Sequence, residues 1–279
     1  MNLTILNLYN FSPVVRTLLA FLLAQGIGTI LLIVAGLMTI PDLSIDFYSP
    51  LFSPIMMAVD IVAIIACRLL QPDIRFVKAS DIAAIKWRPG MLAIAGGLLG
   101  AMCISTLTDK VKLPDIMQEM SLAMSHNLWG LLTLVIVGPV TEEILFREAI
   151  EGGMLRKGVS PWTAITVSAL AFSIAHLNLA QGLYAFPIGI IFGIIYYRSR
   201  SIVLTALLHI LNNGIVAAQT LILGEEATEI TYEEWLGSTT KVYAIMLLTG
   251  LLCVILMRKF WHSYPFELET DEKQPFEAL

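Results

Sequence analysis

Three short polar clusters interrupt long apolar stretches of this 279-residue sequence, and each carries groups that can move or hold a proton. The first is Thr141-Glu142-Glu143-Ile144-Leu145-Phe146-Arg147, the second Phe172-Ser173-Ile174-Ala175-His176, and the third His209-Ile210-Leu211-Asn212-Asn213. A carboxylate, two imidazoles and an amide donor are the parts needed to take a proton from water and to stabilise a tetrahedral oxyanion. On a helix Glu143 and Arg147 stand four apart and can pair, which neutralises one carboxylate and leaves Glu142 on an adjacent face with Phe146. Phe172 and His176 share a face one turn apart, as do His209 and Asn213. Each cluster alone also fits a bland role, a histidine satisfied by a neighbouring helix or an ion pair at a helix end. The chemical reading therefore rests on all three together.

The elements that must position these groups follow from composition. Hydrophobic residues make up 57% of the chain and charged residues 14%, with a mean hydropathy of +0.79. An ordinary globular domain carries about 25% charged residues. That deficit excludes disorder, and a net charge of -5 without a basic block excludes a nucleic-acid binder. A membrane-spanning helix needs roughly 20 apolar residues. Eight runs approach that length: Thr17 to Ile40, Leu51 to Leu70, Met91 to Leu107, Trp129 to Phe146, Trp162 to Leu179, Leu183 to Tyr197, Ile202 to Leu223 and Val242 to Met257. They predict an all-α fold, a polytopic integral membrane bundle of about eight transmembrane helices embedded in the lipid bilayer. The first run is too long for a secretory signal and reads as a retained span. The sixth is short and contains Pro187.

Asp60, Glu142, Glu143, His176 and His209 are the ionisable groups at depth, where each costs several kcal/mol and usually faces a partner or a cavity. Asp60, at the middle of the second run, lies outside the three clusters and reads as a cavity-lining or helix-packing group. Gly138-Pro139 predicts a break, with the helix restarting so that both glutamates occupy its first turns, where the macrodipole favours anions. A hairpin about Gly158 puts Glu142 and His176 at matching depth. His209 counts as shallower from Ile202, and only tilt or an offset helix boundary would bring it level.

Lys and Arg cluster at cytoplasmic span ends. Numbering the runs in order, all of them except Lys110, Lys112 and Lys241 fall before run one, between two and three, four and five, six and seven, or after eight. That split predicts an even number of spans and both termini in the cytoplasm. The loop with Glu225, Glu226, Glu229, Glu233 and Glu234 fits the opposite face. Cys67, Cys103 and Cys253 are scattered without metal-ligand spacing and read as small buried hydrophobes. His126, Asn178 and Gln181 read as solvated span ends, Trp261, His262 and Tyr264 as interfacial anchors, and the tail beyond as a polar end. Three regions are expected: 1-127 with the first three helices, 128-223 with the site, and 224-279 with the acidic loop, the last helix and the tail.

In combination and in this order, Glu142-Glu143-x-x-x-Arg147, Phe172-x-x-x-His176 and His209-x-x-x-Asn213 resemble the CPBP intramembrane proteases, which include the CAAX prenyl endopeptidase and the bacterial Abi proteins. The resemblance covers about Leu128 to Leu223. It implies that Glu142 is the general base, that His176 and His209 hold the water and the transition state, and that Asn213 donates to the oxyanion, with Glu143, Arg147 and Phe172 in support. The substrate it implies is a peptide bond of a membrane-associated peptide or protein. Two histidines and a glutamate also form a known catalytic zinc set, so zinc held by Glu142, His176 and His209 is an alternative. Those ligands would come from different spans, and metal-independent glutamate chemistry, which tolerates looser distances, is favoured. Two other classes remain open. A proton-coupled transporter should show paired broken helices in both halves, whereas the polar groups here concentrate in one half. A non-catalytic scaffold or immunity protein would be expected to have lost a motif position, and none is lost.

Overall fold

A computed structural model describes residues 12–39, 44–111, 113–224 and 230–265. Ile40, Lys112, Glu225, Glu226, Glu229, Lys273 and the end of the tail lie outside the described residues. The described chain is helical: α1 (Ser12–Val34), α2 (Phe52–Leu70), α3 (Ala79–Ala84), α4 (Trp87–Thr108), α5 (Gln118–Ser125), α6 (Leu128–Arg156), α7 (Pro161–Ala175), α8 (Leu179–Ser199), α9 (Ile202–Leu223), α10 (Tyr232–Leu236) and α11 (Thr239–Ser263). Among the described residues the only extended pairing is an isolated bridge between Met38 and Ile45.

Seven of these helices are long and apolar enough to cross a membrane. The protein is a polytopic membrane bundle, and its surface says so: Leu22, Val34, Leu69, Ile222 and Leu247 all point outward. In water such a shell would be an aggregation surface, and in lipid it is the solvent contact. Each of the eight apolar runs forms a helix, but the short one is not the run with Pro187. That run extends to the 21 residues of α8, whereas α7 has only 15. At 1.5 Å per residue α7 is roughly 22 Å long, short of the ~30 Å hydrocarbon core. It stops where Leu177 takes a left-handed φ of 50° and Asn178 caps α8 by accepting from the Ala180 N–H. Asn178 is itself buried and donates to the Asp115 carboxylate, so it is not a solvated span end.

Side-chain caps explain the other starts. The oxygens of Asn127, Ser160, Ser201 and Ser238 each accept a backbone N–H at the first turn of α6, α7, α9 and α11. Close packing depends on α4, whose Gly97 and Gly100 lie where a Cβ would strike Leu208 of α9, or Ile191 of α8 and Cys253 of α11. Small residues at such crossings let helices approach in the absence of a hydrophobic drive between them. At the far end of the bundle Tyr264 is buried against Phe260 rather than placed at an interface, while Trp261 stacks on Tyr197 of α8.

The fourth helix departs most from expectation. It neither breaks at Gly138-Pro139 nor ends at Phe146, but runs for 29 residues with two stretches of wider i→i+5 turns, Thr133–Val137 and Glu143–Gly152. Proline lacks an N–H and its ring crowds the carbonyl four back. A wider turn relieves both, and the Gly138 N–H reaches the Thr133 carbonyl five residues back. The glutamates therefore sit mid-helix, away from any free N-terminus. Arg147, expected as a loop cation, is carried into the core.

If the short α7 also crosses, the chain makes eight passes. Reporter fusions after Asn7 and after Glu272 are expected to read cytoplasmic on both sides. Opposite readings would mean that α7 enters and leaves by the same face.

Candidate active site

Glu143 and Arg147 of α6 have no exposed side-chain surface, and Arg147 Nε lies 3.3 Å from Glu143 Oε2. Wider turns bring residues four apart closer to vertical alignment, which favours this pairing. The guanidinium carbon stands 4.6 Å from the ring centre of Phe172 and 5.1 Å from that of Phe192. Its charge is thus held between a carboxylate and two aromatic faces, a setting suited to a planar and weakly hydrated cation. One turn further on, Glu151 is also fully buried beneath α8, at Gly193.

The second oxygen of Glu143 meets α9. His209 Nδ1 is 2.9 Å from Glu143 Oε1, and since a carboxylate only accepts, Nδ1 carries the hydrogen. Nε2 then faces the other glutamate, 3.4 Å from Glu142 Oε2. His209 thus stands level with both acids, a point the sequence left open. Glu143 is consumed by Arg147 and His209, whereas the Glu142 side chain keeps one-third of its surface exposed (33%) and opens onto a cavity.

That cavity, about 70 Å³, has room for a few water molecules. Glu142, Thr141, Leu145 and Phe146 of α6 form one wall and His176 with Ala175 another. His176 stands just past the end of α7, and its Nδ1 donates to the Phe172 carbonyl at 2.8 Å, leaving Nε2 as the free nitrogen. The Phe172 ring packs edge-on against both imidazoles, with centroids 4.8 Å from His176 and 5.8 Å from His209. Asn213 is placed differently: its Nδ2 donates to the Leu134 carbonyl at 3.0 Å, in the first wide-turned stretch of α6, and it does not line the cavity.

Several groups at the site have no counterpart in the three clusters. Phe21 and Gln25 of α1 and Val59, Asp60 and Ala63 of α2 close the cavity opposite Glu142. Gln25 and Asp60 were visible as polar residues inside apolar runs. Phe192 resembles any other membrane aromatic, and nothing in the sequence marks it. Glu148 and Glu151 were hidden by ending the helix too early. Glu148 accepts from Arg156 Nη1 at 2.8 Å, from the Arg75 N–H at 3.1 Å and from the Tyr196 hydroxyl at 2.5 Å, tying the loop after α2 to α6 and α8. For zinc the fit is poor: among the described residues no three His, Cys, Asp or Glu side chains converge on one point, although His209, held at Nδ1 by Glu143, keeps Nε2 as a nitrogen able to ligate.

The stretch that carries these two glutamates, the arginine and the two histidines is similar to a known family. Residues 124–215 fit the type II CAAX prenyl endopeptidase Rce1-like family. The likeness to that family is confined to this stretch, about a third of the chain. The membrane-embedded CAAX protease MroQ of Staphylococcus aureus (strain USA300) is 33% identical over 101 residues, which cover 34% of this chain and 41% of that protein. YdiL of Bacillus subtilis (strain 168), provisionally described as a membrane peptidase, is 33% identical over 86 residues, 31% of this chain and 35% of its own length. The matched stretch thus spans less than half of either relative. No solved structure matches the chain.

Removing one partner of a buried ion pair costs about 3–5 kcal/mol because the other charge is left without compensation. Arg147→Met is therefore expected to lower the thermal midpoint in detergent sharply, and Arg147→Lys, which keeps the charge but not the planar stacking, to lower it less. An unchanged midpoint in Arg147→Met would remove the pair from its anchoring role.

Proposed function

We propose that this protein is an intramembrane endopeptidase in which Glu142 activates water to hydrolyse a peptide bond of a membrane-associated substrate. One observation carries the reading: of two adjacent glutamates, one is buried and fully committed to Arg147 and His209, and the other is partly exposed and faces a water-sized cavity beside a histidine with a free nitrogen. The two relatives, one a CAAX protease and the other described as a membrane peptidase, support the same reading.

The steps follow from the positions. A water between Glu142 and His176 gives its proton to the Glu142 carboxylate while its oxygen bonds to the scissile carbonyl carbon. His176 Nε2 orients that water. Negative charge develops on the carbonyl oxygen, and His209 Nε2, when protonated, is the donor beside Glu142 for it; Asn213 would join it only by turning its amide from the Leu134 carbonyl toward the cavity. Glu143 fixes the His209 ring and with it the direction of Nε2. No step is routed through a metal, because the donor set does not converge. The active face lies within a multi-pass bundle whose termini are both cytoplasmic, and residues 128–223 supply the reacting groups while α1 and α2 supply the opposite wall.

Purified protein in lipid vesicles, incubated with a library of membrane-anchored peptides, is expected to cleave a subset of them. His176→Ala and His209→Ala should each lower turnover on such a peptide by about 10²-fold or more while the protein stays folded, in line with the loss of a positioned proton-transfer or oxyanion group. Chelators should leave turnover unchanged. Zinc that copurifies in near-stoichiometric amount, and whose removal and return abolish and restore cleavage, would overturn the mechanism. Failure to cleave any peptide in the library would overturn the activity.

A further inference from the structure

Asp60 is the one charged group at the centre of α2, where a carboxylate is costly unless it faces a partner or a functional space. It forms no hydrogen bond or ion pair with any described residue, and it lines the cavity of Glu142 and His176. Its Oδ2 lies 3.7 Å from the point where a Cβ on Gly138 would stand. Gly138 and Glu142 are four residues apart on α6 and share a face, so Asp60 sits one turn along from Glu142 on the same side. The missing Cβ at Gly138 is what lets a carboxylate from another helix come this close. A helix-packing role would have paired Asp60 with a donor of a neighbouring helix; here its carboxyl is directed at open space shared with the reacting groups.

Peptide hydrolysis needs two proton movements. One leaves the water as it attacks, and one reaches the amide nitrogen as the carbon–nitrogen bond breaks, since an amine anion does not depart. We propose that Asp60 is a second catalytic acid of this cavity and gives the proton that the leaving nitrogen takes. This rests on the reading of Glu142 as the base. Two carboxyl groups facing one small cavity away from bulk water tend to share a proton rather than carry two charges, which supplies one acid and one base together. The attack leaves Glu142 protonated and the tetrahedral oxyanion bound. Collapse of the oxyanion breaks the bond to nitrogen, the Asp60 proton moves to that nitrogen, and the free amine departs. Glu142 then returns its proton to Asp60 through cavity water. The sum is one water and one peptide consumed, one acid and one amine formed, with both carboxyls restored.

A change of leaving group separates this from a structural role. A peptide cleaved by the wild-type protein is compared with a phenol ester of the same acyl segment, whose phenolate leaves without a proton. Asp60→Asn is expected to lower peptide cleavage by about 10²-fold or more and to leave ester hydrolysis little changed. Asp60→Glu, which keeps the acid, should recover part of the peptide activity, so a poorly folding Asn variant does not decide the matter alone. Infrared difference spectra of the protein in vesicles should show a protonated carboxyl band that is absent in Asp60→Asn. The proposal falls if Asp60→Asn cleaves the peptide at the wild-type rate, if peptide and ester fall together in both variants, or if no protonated carboxyl is lost. Glu142→Gln serves as the separate control: it should lose both substrates, and retention of peptide cleavage there would defeat the general-base reading itself.

Discussion

A guanidinium with no exposed surface, deep in a bundle made for lipid, is the constraint to which the rest of the site conforms. Arg147 cannot be left without a counter-charge, and Glu143 supplies it from the preceding turn of the same helix. Phe172 and Phe192 cover the faces of the cation that no oxygen reaches. Having taken Arg147 on one oxygen, Glu143 has the other free to hold His209. Two residues of identical chemistry and adjacent number are thereby divided: one is fixed inside a network, the other is left to the cavity. The same Phe172 ring touches Arg147, His176 and His209, so a single aromatic couples the anchor to both imidazoles.

The backbone of α6 makes this division geometrically available. Its wider turns absorb Pro139 without a break, set Glu143 over Arg147, and carry Arg147, Glu148 and Glu151 into the core. Such turns are infrequent and tend to occur at functional sites. Here the first stretch has a local cause, a proline whose missing N–H must be accommodated, and the second a local effect, the alignment of a buried ion pair. The abrupt end of α7 plays the complementary part. It places His176 at a reversal of the chain, where an imidazole can reach the cavity while its other nitrogen is held by the backbone.

Much of this was legible in the residue pattern because apolar runs and polar exceptions are strong signals in a membrane chain. The positions of the helices, the Glu143–Arg147 pair and the matching depth of Glu142 and His176 follow from spacing, whereas the level of His209 does not. What stayed hidden depended on tertiary context. The length of α6 was misjudged because Arg147, Glu148 and Glu151 look like a solvated helix end, and only the packing of α7, α8 and the loop after α2 around them makes them core residues. Pro187 looked like a helix breaker, yet proline is tolerated where neighbouring helices pack around it. The wall formed by Phe21, Gln25 and Asp60 could not be read from motifs, since it arises from how α1 and α2 lean on α6. Asn213 sits where its cluster predicted, one turn beyond His209, but its amide bonds a carbonyl that the wide turns of α6 present.

The central claim is that Glu142 and Glu143, adjacent and alike, do different work. Turnover per folded molecule of Glu142→Gln and Glu143→Gln, measured side by side on one cleaved peptide with thermal midpoints recorded on the same samples, tests it most directly. The account predicts that Glu142→Gln keeps the wild-type midpoint and loses turnover, while Glu143→Gln loses several kcal/mol of stability through its stranded arginine. Full turnover in Glu142→Gln, or a Glu143→Gln protein as stable as wild type, would contradict it.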